Sequence, residues 1–240
     1  MSGFVSNSDM LLGLWEGRIL KQVETLNSQD SSYSKVKSKI DKLNVGSAGF
    51  VINHGNSVHT SFDTFDPGSL NLYLPNKPEH SIIESEKLRQ QRIVTISHVS
   101  NHDKKFVGSI NSKSKLHHIS TAMANTAIDL ADQMMVLFYD NQMSVLIHQE
   151  GGMKFFEQFT GTIPNDFLYY ILYAAQTCNI EIAKLKIQIG GTIDENSALF
   201  VALKSYILNI EFFSSSRFHI DGAKLPYHYY MPLIIAKACE

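Results

Sequence analysis

Lys186-Ile-Gln-Ile-Gly190-Gly191-Thr192-Ile-Asp194-Glu-Asn196-Ser197-Ala-Leu-Phe-Val-Ala-Leu203 is the stretch on which the fold of this chain turns. An apolar strand runs into a glycine pair, and an amphipathic helix capped by Asp194 or Asn196 follows. Neither glycine carries a Cβ and both tolerate φ > 0, so backbone here can approach a ligand or a neighbouring helix closely. Two readings of the pair stand side by side: a floor under a flat ligand, and a tight strand-to-helix connection. A glycine pair alone does not separate them.

Working upstream, residues 134–139 and 143–148 read as strands joined through Asp140-Asn141, a dipeptide suited to a tight hairpin. Gly151-Gly152 turns the chain again into a third strand over 154–159. Pro164-Asn165-Asp166 opens a helix with Asn165 as its expected cap and Phe167, Tyr170, Ile171, Ala174 and Cys178 along one face. Downstream lie a last strand over 210–213 and a closing helix over 227–239. Strand, strand, strand, helix, strand, helix, strand, helix describes a three-stranded meander feeding crossover helices, hence a mixed sheet with helices on its faces.

The first half begins in the same way. Strands are expected over 10–15 and 18–26 around a Glu16-Gly17 turn, a helix over 33–43, and a buried strand over 49–53 before the His54-Gly55-Asn56 turn. After Asp66-Pro67-Gly68, the alternation of Leu70, Leu72 and Leu74 predicts a strand, residues 93–99 another, and 117–131 a helix. Two similar halves follow, 1–114 and 115–240, although no residue-level repeat links them.

The composition is that of an ordinary globular chain: 44% of residues are hydrophobic and 18% charged, with a formal net charge of −2. That charge supplies no basic face for nucleic acid. No apolar run reaches the roughly 18–20 residues of a membrane helix, and the first residues carry no secretion signal, so a cytoplasmic location is expected. Cys178 and Cys239 fit no metal or disulfide spacing and read as buried, reduced thiols.

This arrangement resembles the actin-like ATPase (ribonuclease H-like) fold of actin, sugar kinases and heat-shock chaperones. More closely, it is similar to a bacterial family of unknown function with a degenerate version of that fold. The likeness lies in Asn165-Asp166-Phe167-Leu168-Tyr169-Tyr170, in the strand and glycine pair ending at Gly191, in Leu203-Lys-Ser-Tyr206-Ile207, and from Leu225-Pro226-Tyr-His228 to Cys239-Glu240. It is weaker in the first half, where it rests on the apolar pattern over 62–74. The fold class it implies is α/β with mixed sheets in two lobes, each a meander with crossover helices.

The resemblance also implies where a nucleotide would sit. Working members hold phosphates in two glycine-containing hairpin turns, with an Asp on the preceding strand organising Mg²⁺ and water. Here the first such turn is expected at Leu14-Trp15-Glu16-Gly17, with a Trp where phosphate would pass, and the second at Tyr139-Asp140-Asn141-Gln142, without glycine. Asp140 reads as a turn residue rather than a metal ligand. Gly190, Gly191 and Thr192 correspond to the adenosine-side loop and are the candidate cofactor-binding residues. No catalytic or metal-ligating residue is assigned, and ATP with Mg²⁺ is disfavoured as cofactor.

Other constellations offer little. His117 and His118 are expected on a helix, diverging by about 100°. His54, His59, His98 and His102 read as surface or hydrogen-bonding histidines. Ser214–Ser216 with His219 and Asp221 has the residue types of a nucleophilic relay, but three neighbours on one short loop read as loop capping. Tyr170 is expected in the core, while Tyr169, Tyr173 and Tyr229 are open between core and interface. The functional expectation is a non-catalytic interaction or scaffold protein, a pseudo-ATPase with a protein partner, a homodimer being left open. The alternative is a nucleotide- or small-molecule-binding protein with weak kinase- or ATPase-like activity.

Overall fold

Short apolar runs separated by turn residues set the element order seen in the computed structural model, which describes residues 1–6, 8–27, 38, 40–41, 48–110, 113–127 and 132–240. The first sheet collects β1 (Ser2–Val5), β2 (Asp9–Glu16), β3 (Ile19–Asn27) and β4 (Gly49–Ile52). After β5 (Ser57–Ser61), α1 (Leu70–Tyr73), β6 (Ser81–Leu88), β7 (Ile93–Ser100) and α2 (Asn101–Ile110), the chain returns to the same sheet as β8 (Lys115–His118). The helix α3 (Ile119–Ala127) leads to the meander β9 (Gln133–Tyr139), β10 (Gln142–Gln149) and β11 (Gly152–Thr160). Then come α4 (Pro164–Thr177), β12 (Lys186–Gly191), α5 (Ala198–Tyr206), β13 (Asn209–Phe212), the short β14 (His219–Ile220) and α6 (Met231–Lys237).

Two sheets carry the same plan. Their orders are β3-β2-β1-β4-β8, extended at one edge by β14, and β11-β10-β9-β12-β13. In both, the first strand of the meander pairs antiparallel with the second and parallel with the fourth. The duplication lives in topology alone. A third sheet, β5-β7-β6, is inserted between the fourth and fifth strands of the first.

Strand periodicity divides the core. Met134, Val136 and Phe138 of β9 face one apolar cluster with α4 and α5, while Met135, Leu137 and Tyr139 face another. That second cluster holds α3 and α6 between the halves, joining Phe4, Val51 and Met123 to Leu146 and Ile234. Full burial of one such side chain stabilises by roughly 1.5–3 kcal/mol, so α3 and α6 bind the halves firmly. β10 is buried on both faces from Met143 to His148, which is why it reads as a continuous apolar run.

Several expectations are corrected. A strand precedes the one expected at 10–15: β1 has only Phe4 and Val5 as apolar signal, yet all four of its residues are buried. The Leu70–Leu72–Leu74 alternation is helical. Asp66 accepts the Gly68 N–H at 2.9 Å and Pro67 starts a 3₁₀ turn, so the chain enters α1 with Leu72 exposed to solvent. His117 and His118 belong to β8, and the helix begins after them. Neither expected helix cap holds: Asp166, at the third helical position, accepts from the Thr162 and Ile163 N–H groups, and Ser197 rather than Asp194 or Asn196 caps α5. The helix expected over 33–43 lies mostly outside the described residues.

Candidate functional site

The tips of the two meanders meet. Because β1 is the first strand, the first hairpin tip carries Ser6 and Ser8 and is not the Trp15–Gly17 turn, which lies at the opposite end of β2. Trp15 instead donates to Ser2 Oγ at 2.7 Å and packs edge-on against Phe218. Ser6 shapes the true tip: its Oγ accepts from the N–H groups of Ser8 (3.2 Å) and Asp9 (3.1 Å). The second tip, Asp140-Asn141, is where it is expected, with Asp140 at φ 55°.

Both tips carry a carboxylate bound by the other half. Tyr139 donates its hydroxyl to Asp9 Oδ1 at 2.7 Å, and Ser8 donates to Asp140 Oδ1 at 2.7 Å. Burial, and then the bond to Asp9, push the Tyr139 phenol far above its ordinary value, so it stays a donor. Behind the tips, the buried Asn53 and Ser144 meet at 3.3 Å, and Gln158 Nε2 donates to both. The space between the tips is therefore crossed by charge-assisted hydrogen bonds within the protein.

The Gly190-Gly191-Thr192 turn lies beside the second tip, where Gly191 pairs with Phe138 at the end of β9. A Cβ on Gly190 would stand 2.5 Å from Met231 Sδ, and one on Gly191, at φ 88°, would stand 1.9 Å from the Phe138 carbonyl oxygen. Thr192 donates its N–H to that same carbonyl at 2.8 Å and is exposed. The glycines are thus fitted to α6 and β9. Beyond them, buried His228 meets the Ile193 carbonyl at 2.8 Å, and Tyr229 donates to Asp194 at 2.6 Å, a bond that pushes the phenol up to about 12.

Histidines prove more buried than expected. His118 ends β8 fully buried, with Nδ1 2.9 Å from Ser120 Oγ, and burial with nearby His59 lowers it to about 3. His59 on β5 falls to about 4 through burial. Both rings meet Phe156 of β11 edge-to-face, at 5.6 Å and 6.1 Å. His98 is buried within β7. His54 pairs with buried Asp103 at 3.3 Å, and His117 with Glu86 at 2.6 Å. Among the described residues no group of three His, Cys, Asp or Glu is placed to hold a metal ion.

The remaining candidates separate. Asp221 binds Lys21 at 3.0 Å, while Ser215 Oγ accepts from the Arg217 N–H, so the serine loop forms its own turn. Cys239 is buried and pushed up to about 12 by desolvation, and Cys178 is half-buried; both are free thiols. Tyr170 stacks on Phe159 at 4.4 Å, whereas Tyr169 and Tyr173 lie exposed on α4. Sequence reasoning missed Ser6, Ser8 and Asp9 as tip residues, because the strand that precedes them has only Phe4 and Val5 as apolar signal.

A family model described as a protein of unknown function (DUF3822) matches residues 63–210. No curated protein matches the chain. Among solved structures, a Bacteroides thetaiotaomicron protein with an actin-like ATPase fold and unknown function superposes with a TM-score of 0.71 at 14% identity, covering 88% of this chain and 89% of its own. The PilM–PilN type IV pilus biogenesis complex gives 0.61 at 8% identity, over 99% and 96%. The cytoplasmic domain of EpsL, an inner membrane component of the type II secretion system of Vibrio cholerae, gives 0.51 at 8%, over 99% and 93%. At these identities the likeness establishes the fold: a mixed α/β, actin-like architecture. No helix among the described residues is long and apolar enough to cross a membrane.

Proposed function

Because this chain belongs to the family described as a protein of unknown function (DUF3822), we propose that it is a non-catalytic, actin-like-fold protein that works by binding a protein partner. The observation that carries this reading is the pair of bonds Tyr139–Asp9 and Ser8–Asp140 between the hairpin tips. A triphosphate entering there would have to break both and face two carboxylates. Neither Ser6-Asn7-Ser8 nor Asp140-Asn141 contains a glycine that would let main-chain N–H groups approach phosphate. In this reading Gly190 and Gly191 serve packing, and Thr192 needs no purine above it. The lobes divide near residue 114, and the protein acts in the cytoplasm. Solved neighbours point the same way: one is a complex of PilM with PilN, another a domain of a secretion-system component.

A melting screen with ATP, ADP, GTP and AMP, each with and without Mg²⁺, tests this reading. A nucleotide held at a hundred times its Kd adds about 2.7 kcal/mol, which is several degrees for a chain this size. The expected result is an unchanged Tm with every nucleotide and no phosphate release. A saturable rise that needs Mg²⁺ would show that the tips open to a nucleotide, and the reading would fall.

A further inference from the structure

Two strand edges face each other across a groove. Among the described residues β5 is bonded only to β7, and β11 only to β10, so each leaves one edge unpaired by strand. The groove holds two cavities of about 330 Å³ and 260 Å³ that share Phe156 in their linings. One is lined by His54 to Ser57, Phe156 to Gln158 and Thr160, with Gln142 of β10, the other by His59 to Ser61 and Met153 to Phe156, with Ile93 of β7. Runs of consecutive residues line both walls, His59 to Ser61 on one and Met153 to Gln158 on the other. A sheet face would contribute alternate residues, whereas an edge contributes them in succession. The pairing of early β5 with late β11, and of late β5 with early β11, makes the two edges antiparallel.

Ladder alternation identifies the groups that face the gap. His98 N–H donates to the Asn56 carbonyl and Phe62 N–H to the Arg92 carbonyl, so in this register Val58 and Thr60 bond β7 while Ser57, His59 and Ser61 point their N–H and C=O groups away from it. On the other wall, Gly161 N–H donates to the Asn141 carbonyl, so Glu157 and Phe159 bond β10 while Phe156, Gln158 and Thr160 turn outward. Two outward N–H groups of β11 have taken side-chain acceptors: Met153 bonds Gln91 Oε1 at 3.0 Å, and Gln158 bonds Glu157 Oε1 at 3.3 Å. Phe156 and His59, in contact with buried His118, form an aromatic floor.

We propose that this groove takes up an extended peptide strand of a partner protein, which would hydrogen-bond to both edges and join the β5-β7-β6 sheet to β11. The chemistry of the occupant follows from the walls. Its main chain supplies donors and acceptors along about five residues, the length of β5, or roughly 17 Å. Its side chains alternate, apolar ones over the Phe156–His59 floor and polar ones toward solvent. Proline is excluded from positions that must donate. This is β-strand addition with two edges in place of one. It rests on the reading of the chain as a protein-binding member of its fold, and names the kind of partner.

The test is selection of phage-displayed random heptapeptides on the full chain, followed by titration of the enriched synthetic peptides. Wild-type protein is compared with His59→Pro and Ser61→Pro, each of which deletes a groove-facing N–H without removing a β5–β7 bond. Circular dichroism and melting curves establish that each variant is folded. We expect proline-free peptides of alternating polarity that both folded variants bind at least tenfold more weakly and that the wild type no longer binds once their main chain is N-methylated. No enrichment, enriched peptides with helical spacing, or equal binding by the folded variants would each overturn the proposal. So would a homodimer that dissociates in Ser61→Pro, which would make the occupant a second copy. The nucleotide screen separates the two readings: a Mg-dependent nucleotide shift with intact peptide binding sinks only the non-catalytic reading, and peptide failure without any nucleotide shift sinks only the groove.

Discussion

Gly191 shows how much one residue can be held by its surroundings. Its φ of 88° is a left-handed conformation, and the Cβ of any other residue would lie 1.9 Å from the Phe138 carbonyl oxygen. The backbone strain alone costs about 1–3 kcal/mol for a residue with a Cβ, and the overlap with main chain, which has no rotamer to escape into, adds to it. Gly17, at φ 60°, has nothing within 4 Å of the same position. Urea denaturation should therefore find Gly191→Ala more destabilised than Gly17→Ala, the latter losing about 1–2 kcal/mol. Equal losses would mean that β9 and β12 separate easily, and that Gly191 is there for a ligand. The glycine pair itself was legible in the sequence. What fills the space above it was not, because Met231 and Phe138 are 40 and 53 residues away in the chain.

At the scale of elements, caps and short strands decide the outcome. Ser197 accepts the Phe200 N–H at 3.2 Å and donates to the Asp194 carbonyl at 2.7 Å, closing the first turn of α5. Ser197→Ala should cost about 1 kcal/mol in a denaturation series, and Asn196→Ala close to nothing. The reverse order would restore the cap expected from sequence. Three candidates within four residues all have the chemistry to cap, and only the direction in which the chain leaves β12 chooses among them. The same holds for β1. Ser2–Val5 has too few apolar residues to announce a strand, but pairing with β2 on one side and β4 on the other makes it central. Missing it moved the expected first hairpin tip to the wrong end of β2. The long meander β9-β10-β11, by contrast, was legible throughout, since each strand is long, strongly apolar and bounded by turn residues.

Across the whole molecule, the junction between halves is sensitive to acid. His118 and His59 are held neutral by burial at about 3 and about 4. An unfolded histidine titrates near 6.5, so below that pH the unfolded chain binds more protons than the folded one. Their contribution is fully present above pH 6.5 and is lost as pH falls toward the folded values. At pH 5 each costs on the order of 2 kcal/mol relative to pH 7.5. Urea midpoints at the two pH values should show this decline, and it should be shallower in His59→Phe; an identical pH dependence in the variant would place the acid sensitivity elsewhere. The sequence by itself determined the mixed α/β class, the meander and crossover helices of the second half, the second hairpin tip and the glycine turn, because hydrophobic period and turn chemistry are local. Only the tertiary structure decided that Ser8 and Tyr139 bind the opposite half's carboxylates, that His59 and His118 converge on Phe156, and that β5 and β11 face each other unpaired. Those relations join residues roughly 40 to 130 positions apart, and no local pattern encodes which distant edge or side chain a folded chain will bring into contact.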